Sequence, residues 1–190
     1  MEMMESRGVR RFFRVFNKYF MVPAFRSGLG PLMGNPFTGY IMVIKSVGHR
    51  TGLLRYAPVN YAILNGNVYC LAGVGKATHW YRNLIAQPKV ELILPSRPVA
   101  GVAEEVTDAE ERLIILRQIL KNSGFAGFSL GFNPHTAPDE VVRAKTEGLP
   151  IMGIRPIGIG SGASDPGGWL WLLPMLTSAW LLLRSGRRDK

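Results

Sequence analysis

Two stretches of this chain gather the residue types that handle an anion. Gly48-His49-Arg50-Thr51-Gly52 is followed by Arg55 and Pro58. Gly73-Val74-Gly75-Lys76 leads into Thr78-His79-Trp80-Tyr81-Arg82-Asn83-Leu84. Each stretch puts glycine, a hydroxyl and cations where one structural element gives way to the next, so that backbone N–H groups and charged donors can close on a phosphate. Arg50 and Arg55 bracket one turn, and a guanidinium can grip phosphate through a two-pronged fork. Lys76 lies in a glycine loop directly before a helix start, where unpaired N–H groups add positive potential. Neither stretch holds a nucleophile or a metal cluster, which points to chemistry supplied by a bound organic molecule. Singly, a turn arginine is usually just solvated and a glycine loop just a turn; their combination with Thr51, Trp80 and Asn83 is what suggests a site.

The other reactive residue types signal less. His49, His79 and His135 share no spacing typical of a metal site, so no metal is expected. Glu104, Glu105, Glu110 and Glu111 flank a strand end and a helix start and read as a solvated, dipole-favoured set. Cys70, the single cysteine, sits in an apolar run and reads as a buried, inert thiol. Tyr56, Tyr61 and Tyr81 are candidate proton donors, although tyrosine is more often a core or interface aromatic.

These residues must be positioned by a mainly β domain. Tyr40–Val47, Leu54–Leu64, Val68–Ala72, Val90–Leu94, Val99–Val106 and Ile151–Ile157 read as six strands. Pro58 suggests an edge position or bulge, and Asn65-Gly66 is a two-residue hairpin signal. Thr78 is placed to cap a short helix ending before Pro88. Thr107 and Glu110 suggest a capping box for a helix running to about Asn122. Phe125–Pro138 reads as a loop and Asp139–Thr146 as a short helix.

Outside that domain, residues 7–20 turned at about 100° each place Arg7, Arg10, Arg11, Arg14 and Lys18 on one face. Val9, Phe12, Phe13, Phe16, Tyr19 and Phe20 fall on the other. This basic amphipathic helix either lies on an anionic membrane surface or packs its aromatic side on the domain. Residues 23–39, dense in glycine and proline, read as a linker or a loop crossing the domain surface, and Gly158–Gly168 reads as a flexible linker. Trp169–Leu183 carries no charge, yet its fifteen residues span only about 22 Å, short of the roughly 30 Å hydrocarbon core. Trp169, Trp171 and Trp180 resemble interfacial anchors. An interfacial anchor or a docked hydrophobic helix both fit. The expected units are residues 1–37, helix and linker; 38–158, the domain; and 159–190, linker and hydrophobic segment.

Gly-x-Arg-Thr-Gly, Arg-x-x-Pro and Gly-x-Gly-Lys-x-x-x-Trp-Tyr-Arg-Asn-Leu-x-x-x-Pro together resemble the deazaflavin-dependent nitroreductase family over about residues 38–157. That resemblance implies an α+β split β-barrel of the flavin-reductase kind and binding of coenzyme F420. It further implies that His49, Arg50, Thr51, Arg55 and Pro58 line the cofactor's tail and ring. Gly73, Val74, Gly75 and Lys76 would wrap its phosphate side, with Trp80 and Asn83 closing the loop. FMN is the second choice of cofactor. The chain departs from its relatives in carrying Phe125, Phe128 and Phe132 where some have tyrosines, and no serine at Ala72–Val74.

The 190 residues, net charge +10 and 47% hydrophobic content fit one domain with extensions. Nucleic acid is not expected, because the excess cations lie on an aromatic-backed helix and a tail rather than on a recognition module. The expected activity is hydride transfer from reduced F420 to a quinone or nitro compound at the membrane surface, in a cytoplasmic, peripherally attached chain. The alternative is a membrane-attached FMN, haem or deazaflavin carrier or sensor without turnover. A homodimer fits by analogy.

Overall fold

A computed structural model describes residues 15–33, 38–162 and 172–185. Arg7, Arg10, Arg11 and Arg14, with Val9, Phe12 and Phe13, lie outside the described residues, as do Trp169 and Trp171.

Six antiparallel strands close into a barrel in the order β1-β2-β3-β6-β5-β4. They are β1 (Ile41–Val47), β2 (Leu54–Leu64), β3 (Asn67–Leu71), β4 (Lys89–Ile93), β5 (Pro98–Glu105) and β6 (Ile151–Ile159). Period-two alternation divides β1: Met42 and Ile44 point into the barrel, whereas Val43 packs outside. The interior is filled by Met42, Ile44, Leu92, Met152 and Ile154, all essentially inaccessible to solvent, each contributing about 1.5–3 kcal/mol on burial. Cys70 lies among them, and burial pushes its thiol far above the usual range, as expected of an inert group.

The hairpin signal holds: Asn65 (φ 50°) and Gly66 (φ 79°) form the left-handed pair that joins β2 to β3. Strand β2 changes neighbours part-way. Leu54–Asn60 pairs with β1, and Tyr61–Leu64 pairs with β3. Pro58, opposite Val43, therefore sits where β2 has a neighbour on one side only, and its missing N–H costs no ladder bond. The bulge lies elsewhere, in β6, where Ile157 is the extra residue opposite the Ala100–Gly101 step of β5.

Helices dress this barrel. The chain from Val15 is helical, with a wide turn at Asn17–Met21 leading into α1 (Val22–Arg26) and then α2 (Gly30–Met33). Part of the 23–39 linker expected from its prolines and glycines is thus helix. Pro23 is accommodated in the first turn of α1, directly after the wide turn. Met21 and Phe25 cover Val43 and Ile93, while Tyr19 and Phe20 remain exposed. The helix packs on the domain, but not through those aromatics.

Helix α3 (His79–Ala86) drives Tyr81 and Leu84 into the barrel's interior cluster. Helix α4 (Ala109–Lys121) covers the opposite outer surface with Leu113, Leu116, Ile119 and Leu120. Its cap is Asp108 rather than Thr107: Asp108 Oδ1 accepts from the N–H groups of Glu110 and Glu111 at 3.1 and 2.8 Å. A 3₁₀ stretch at Gly124–Leu130 occupies part of the expected loop, followed by α5 (Asp139–Lys145). Strand β6 runs on to Ile159, and Ser161 and Gly162 are tied to the barrel by Lys45 and Glu91. The first residues of the expected 158–168 linker are therefore ordered by strand pairing and this clamp. Helix α6 (Leu172–Ser185) exposes Met175, Leu176 and Trp180. Among the described residues no helix is long and apolar enough to cross a membrane.

Candidate functional site

At one end of the barrel β1, β3 and β5 finish and β2, β4 and β6 begin, and both glycine-and-cation stretches lie there. The first stretch is the β1–β2 turn. Gly48 N–H donates to the Leu53 carbonyl at 2.8 Å, and the N–H groups of Thr51 and Gly52 return to the Gly48 carbonyl. Gly48 has no room for a side chain, since a Cβ would meet Thr51 Oγ1 at 2.9 Å and the Leu53 carbonyl at 3.2 Å. Arg55 donates to Thr51 Oγ1 at 3.2 Å, which holds its guanidinium against the turn. Arg50 and Arg55 are both exposed, and among the described residues neither meets a carboxylate.

The second stretch leaves β3 at Leu71, the point where β2 stops having a partner on that side. The unpaired Leu54–Asn60 edge and the loop after β3 thus flank one gap. Gly75 takes the left-handed conformation (φ 71°) that this loop requires. Thr78 precedes α3 as expected, but its hydroxyl does not cap the helix: it donates to the Gly75 carbonyl at 2.7 Å. The hydroxyl tightens the loop instead, and the first-turn N–H groups of α3 have no side-chain cap.

Helix α3 fastens the two stretches together. Asn83 is buried, and its Oδ1 accepts from the His49 backbone N–H at 3.0 Å. The same oxygen lies 2.8 Å from His49 Nδ1, which must carry a proton to donate to it. Asn83 Nδ2 donates to the buried hydroxyl of Ser46 at 3.3 Å. One residue earlier, Arg82 donates through Nε to the Lys76 carbonyl at 3.1 Å. Successive residues of one helix thus hold the turn and the loop. Asn83, expected at the cofactor, has its amide engaged within the protein by His49 and Ser46. Trp80 packs against the interior cluster, whereas Val74 is exposed.

One residue the sequence left aside, Glu105, joins this end. Tyr81 donates its hydroxyl to Glu105 Oε2 at 2.6 Å, and Lys76 Nζ lies 4.0 Å from Glu105 Oε1. The Glu105 hydrogen bond, with burial and the carboxylate charge behind it, pushes the Tyr81 hydroxyl up to about 12. The three candidate tyrosines are not brought together. Tyr56 packs on the outer surface beneath α1, with the Arg26 guanidinium 4.8 Å from its ring. Tyr61 faces the barrel interior, and burial, then the nearby Tyr40, raises its hydroxyl. The proton of Tyr81 is directed at Glu105. Among the described residues no group of His, Cys, Asp and Glu could hold a metal ion.

The sequence matches the family model described as F420H(2)-dependent quinone reductase over residues 20–128, more than half of the chain. The chain belongs to this family. It is an oxidoreductase, an F420-dependent reductase, and FMN gains no support as its cofactor. No curated protein matches the chain. Among solved structures it is similar to an F420-H2 dependent reductase, with 21% identity, a TM-score of 0.41, and coverage of 60% of this chain and 93% of the other. It is also similar to a putative pyridoxamine 5'-phosphate oxidase from Listeria innocua, with 14% identity, a TM-score of 0.45, and coverage of 64% and 86%. A haem storage protein from Vibrio cholerae gives 13%, 0.44, 75% and 94%. These likenesses concern the fold alone.

The residues present suit a molecule with phosphate and carboxylate groups. Arg50, Arg55 and Lys76 lie at one barrel end, and among the described residues the first two have no carboxylate to neutralise them. Uncompensated cations beside uncapped N–H groups are what a polyanion requires.

Proposed function

We propose that this reductase binds F420 in the gap between the Leu54–Asn60 edge and the Gly73–Lys76 loop, and passes its hydride to a lipophilic quinone at a membrane surface. The single observation that supports this placement is the joining of both anion-handling stretches by α3, through Asn83 to His49 and Arg82 to Lys76. In this reading Arg50, Arg55 and Lys76 hold the cofactor's charged tail, with Thr51 and the Gly73–Gly75 backbone completing the cradle. Pro58 and Trp80 border its ring. The bound cofactor supplies a hydride donor. The protein's share is to fix the distance and angle of approach and to exclude water. With the Tyr81 proton committed to Glu105 and its hydroxyl raised to about 12, water supplies the proton that the reduced quinone needs.

The exposed Phe16, Tyr19 and Phe20, and the exposed Met175, Leu176 and Trp180 of α6, support attachment to a bilayer surface. Lys18 and Arg184 beside them would meet anionic headgroups. A lipophilic acceptor is found at such a surface; a nitro compound is the secondary acceptor. The test mixes purified protein, reduced F420 and a quinone and follows cofactor oxidation, expected well above background. Tight cofactor binding with oxidation at background would leave the carrier or sensor reading instead. Deletion of residues 167–190 is expected to lower sedimentation with anionic vesicles and to preserve cofactor binding.

A further inference from the structure

Both ends of the chain are rooted on one side of the barrel. Val43 stands opposite Ile93 and Lys45 opposite Glu91, so the two pairs share the outer face of β1 and β4. Met21 and Phe25 cover the first pair. The second pair holds the chain that leaves β6. Lys45 Nζ donates to Glu91 Oε1 at 3.3 Å, to Ser161 Oγ at 3.1 Å and to the Gly162 carbonyl at 2.9 Å. The Gly162 N–H donates to Glu91 Oε2 at 3.1 Å. A Cβ at Gly160 would stand 3.1 Å from the Val99 nitrogen and 3.2 Å from Glu91 Oε2, so this strap lies flat on β5 and β4. Leu172 is ten residues beyond Gly162, which keeps the start of α6 within about 36 Å of the clamp. The β4–β5 turn sits between the two roots: a Cβ at Gly30 of α2 would meet Pro95 Cα at 3.3 Å, and Gly162 lies beside Pro98.

This side is apolar. Phe16, Tyr19, Phe20, Leu29 and Leu32 are exposed on the helices that cover it, Leu32 at 71%. Large apolar side chains grouped in this way mark a binding surface. Lys18 and Arg97 are exposed at its rim. Charge decides the orientation. Among the described residues every carboxylate except Glu91 lies between Glu104 and Glu147, on the end of β5, on α4 and α5 and in the turns beside them. Glu91 is matched by Lys45. In the closed strand order the β3–β6 pair lies diametrically across from β1–β4, and α4 packs over Tyr69 and Ile151 of that far pair. An anionic surface thus attracts one side of the molecule and repels the other.

We infer that the β1–β4 side, with α1 and α2 laid on it and both chain ends rooted there, is the surface that meets an anionic bilayer. The inference rests on the membrane reading above and adds the face and its orientation. Val43 lies five residues from Gly48 along β1, about 17 Å at the rise of a strand. The bilayer therefore lies beside the cofactor end rather than across it, and a water-borne polyanion reaches that end while the protein stays attached.

The test uses the full-length protein and two kinds of variant. Lys18→Glu with Arg97→Glu, and Lys121→Glu with Lys145→Glu, make the same charge change at exposed residues of the two opposite sides. On vesicles of phosphatidylcholine and phosphatidylglycerol the first pair should weaken binding about tenfold or more, and the second about threefold or less. For contact, Ser96→Cys and Ala144→Cys each carry an environment-sensitive dye, while Cys70 is buried and stays unlabelled. Both positions are exposed, one on the β4–β5 turn and one on α5. Dye emission is expected to shift to the blue on vesicles at position 96 and to stay unchanged at 144. F420 affinity is expected to be the same with and without vesicles. Equal losses in the two charge pairs, or a blue shift at 144, overturn the assigned face while leaving attachment itself standing. A loss of F420 affinity on vesicles would put the cofactor end against the bilayer and overturn the orientation. No binding of the wild type to these vesicles would defeat the membrane reading, and this inference with it.

Discussion

Lys76→Ala and Glu105→Gln perturb one spot with opposite signs, which makes them a sharper test of cofactor placement than a single loss. Lys76 Nζ stands 4.0 Å from Glu105 Oε1, and the lysine side chain is 71% exposed. If Lys76 meets a phosphate, alanine removes a charge-assisted contact worth about 1.5–3 kcal/mol, or roughly 10- to 150-fold in Kd. Exposure and screening favour the lower end of that range. Glutamine at 105 still accepts the Tyr81 hydroxyl proton but carries no charge. A phosphate on Lys76 would lie ~7 Å from that carboxylate, where repulsion at an effective dielectric of ~40–80 amounts to about 0.6–1.2 kcal/mol. Removing it should tighten binding roughly three- to eightfold. The assay is calorimetric titration with F420 at low and high salt, and both effects should shrink as salt rises. Wild-type affinity in both variants would refute the placement of the phosphate at this loop. Weaker binding in both, with a lower Tm, would show that the pair braces the loop rather than meeting the ligand.

Other expectations follow from single contacts. Asn83→Ala removes three hydrogen bonds at a buried position and should destabilise the fold by about 1–3 kcal/mol, read as a lower urea midpoint with unchanged slope. The Tyr81 hydroxyl, raised to about 12, should titrate late in alkaline difference spectroscopy, and earlier in Glu105→Gln. Because its folded value lies above the unfolded one, its contribution to stability is full below about pH 10 and disappears as pH rises toward about 12. Burial alone would raise the Glu91 carboxyl, but hydrogen bonds from Ser161, Lys45 and Gly162 together with the Lys45 charge lower it on balance. Its contribution is therefore present above the ordinary carboxylate range and lost on acidification through the folded value, and Glu91→Gln should flatten that acid limb of the unfolding curve.

The barrel was largely legible because its signals are local. β-branched runs, period-two alternation and Asn65-Gly66 place five strands within a residue of their observed ends, and β6 runs only two residues further. The cap of α4 shows the limit of such signals. Thr107 and Asp108 both precede an acidic residue three positions on, and only the observed geometry puts the accepting oxygen on Asp108. Part of the 23–39 segment was misread because proline and glycine density outweighed a helix that gains its stability from packing Met21 and Phe25 on Val43 and Ile93. Glu105 was set aside as solvated because its partners are 24 and 29 residues away in the chain. No pattern along the sequence announces a carboxylate that meets Tyr81 and Lys76 only after the barrel closes.

The spacing of the two stretches acquires a physical meaning from α3. Tyr81 and Leu84 point into the barrel core, and Asn83 between them is buried and turned to His49 and Ser46. A helix plugged into a close-packed interior cannot rotate without exposing Leu84 and stranding the Asn83 amide. The direction in which Arg82 meets the Lys76 carbonyl is then set by the core itself. Rigidity at this barrel end thus comes from burial one helical turn away rather than from the loop, whose Val74 and Lys76 remain exposed. An exposed cationic loop on a fixed helix can present its charge to an anion while its anchor stays in register. That division gives a reason why Trp-Tyr-Arg-Asn-Leu follows Gly-Val-Gly-Lys so closely: the first group sets the frame, and in the proposed placement the second would meet the ligand.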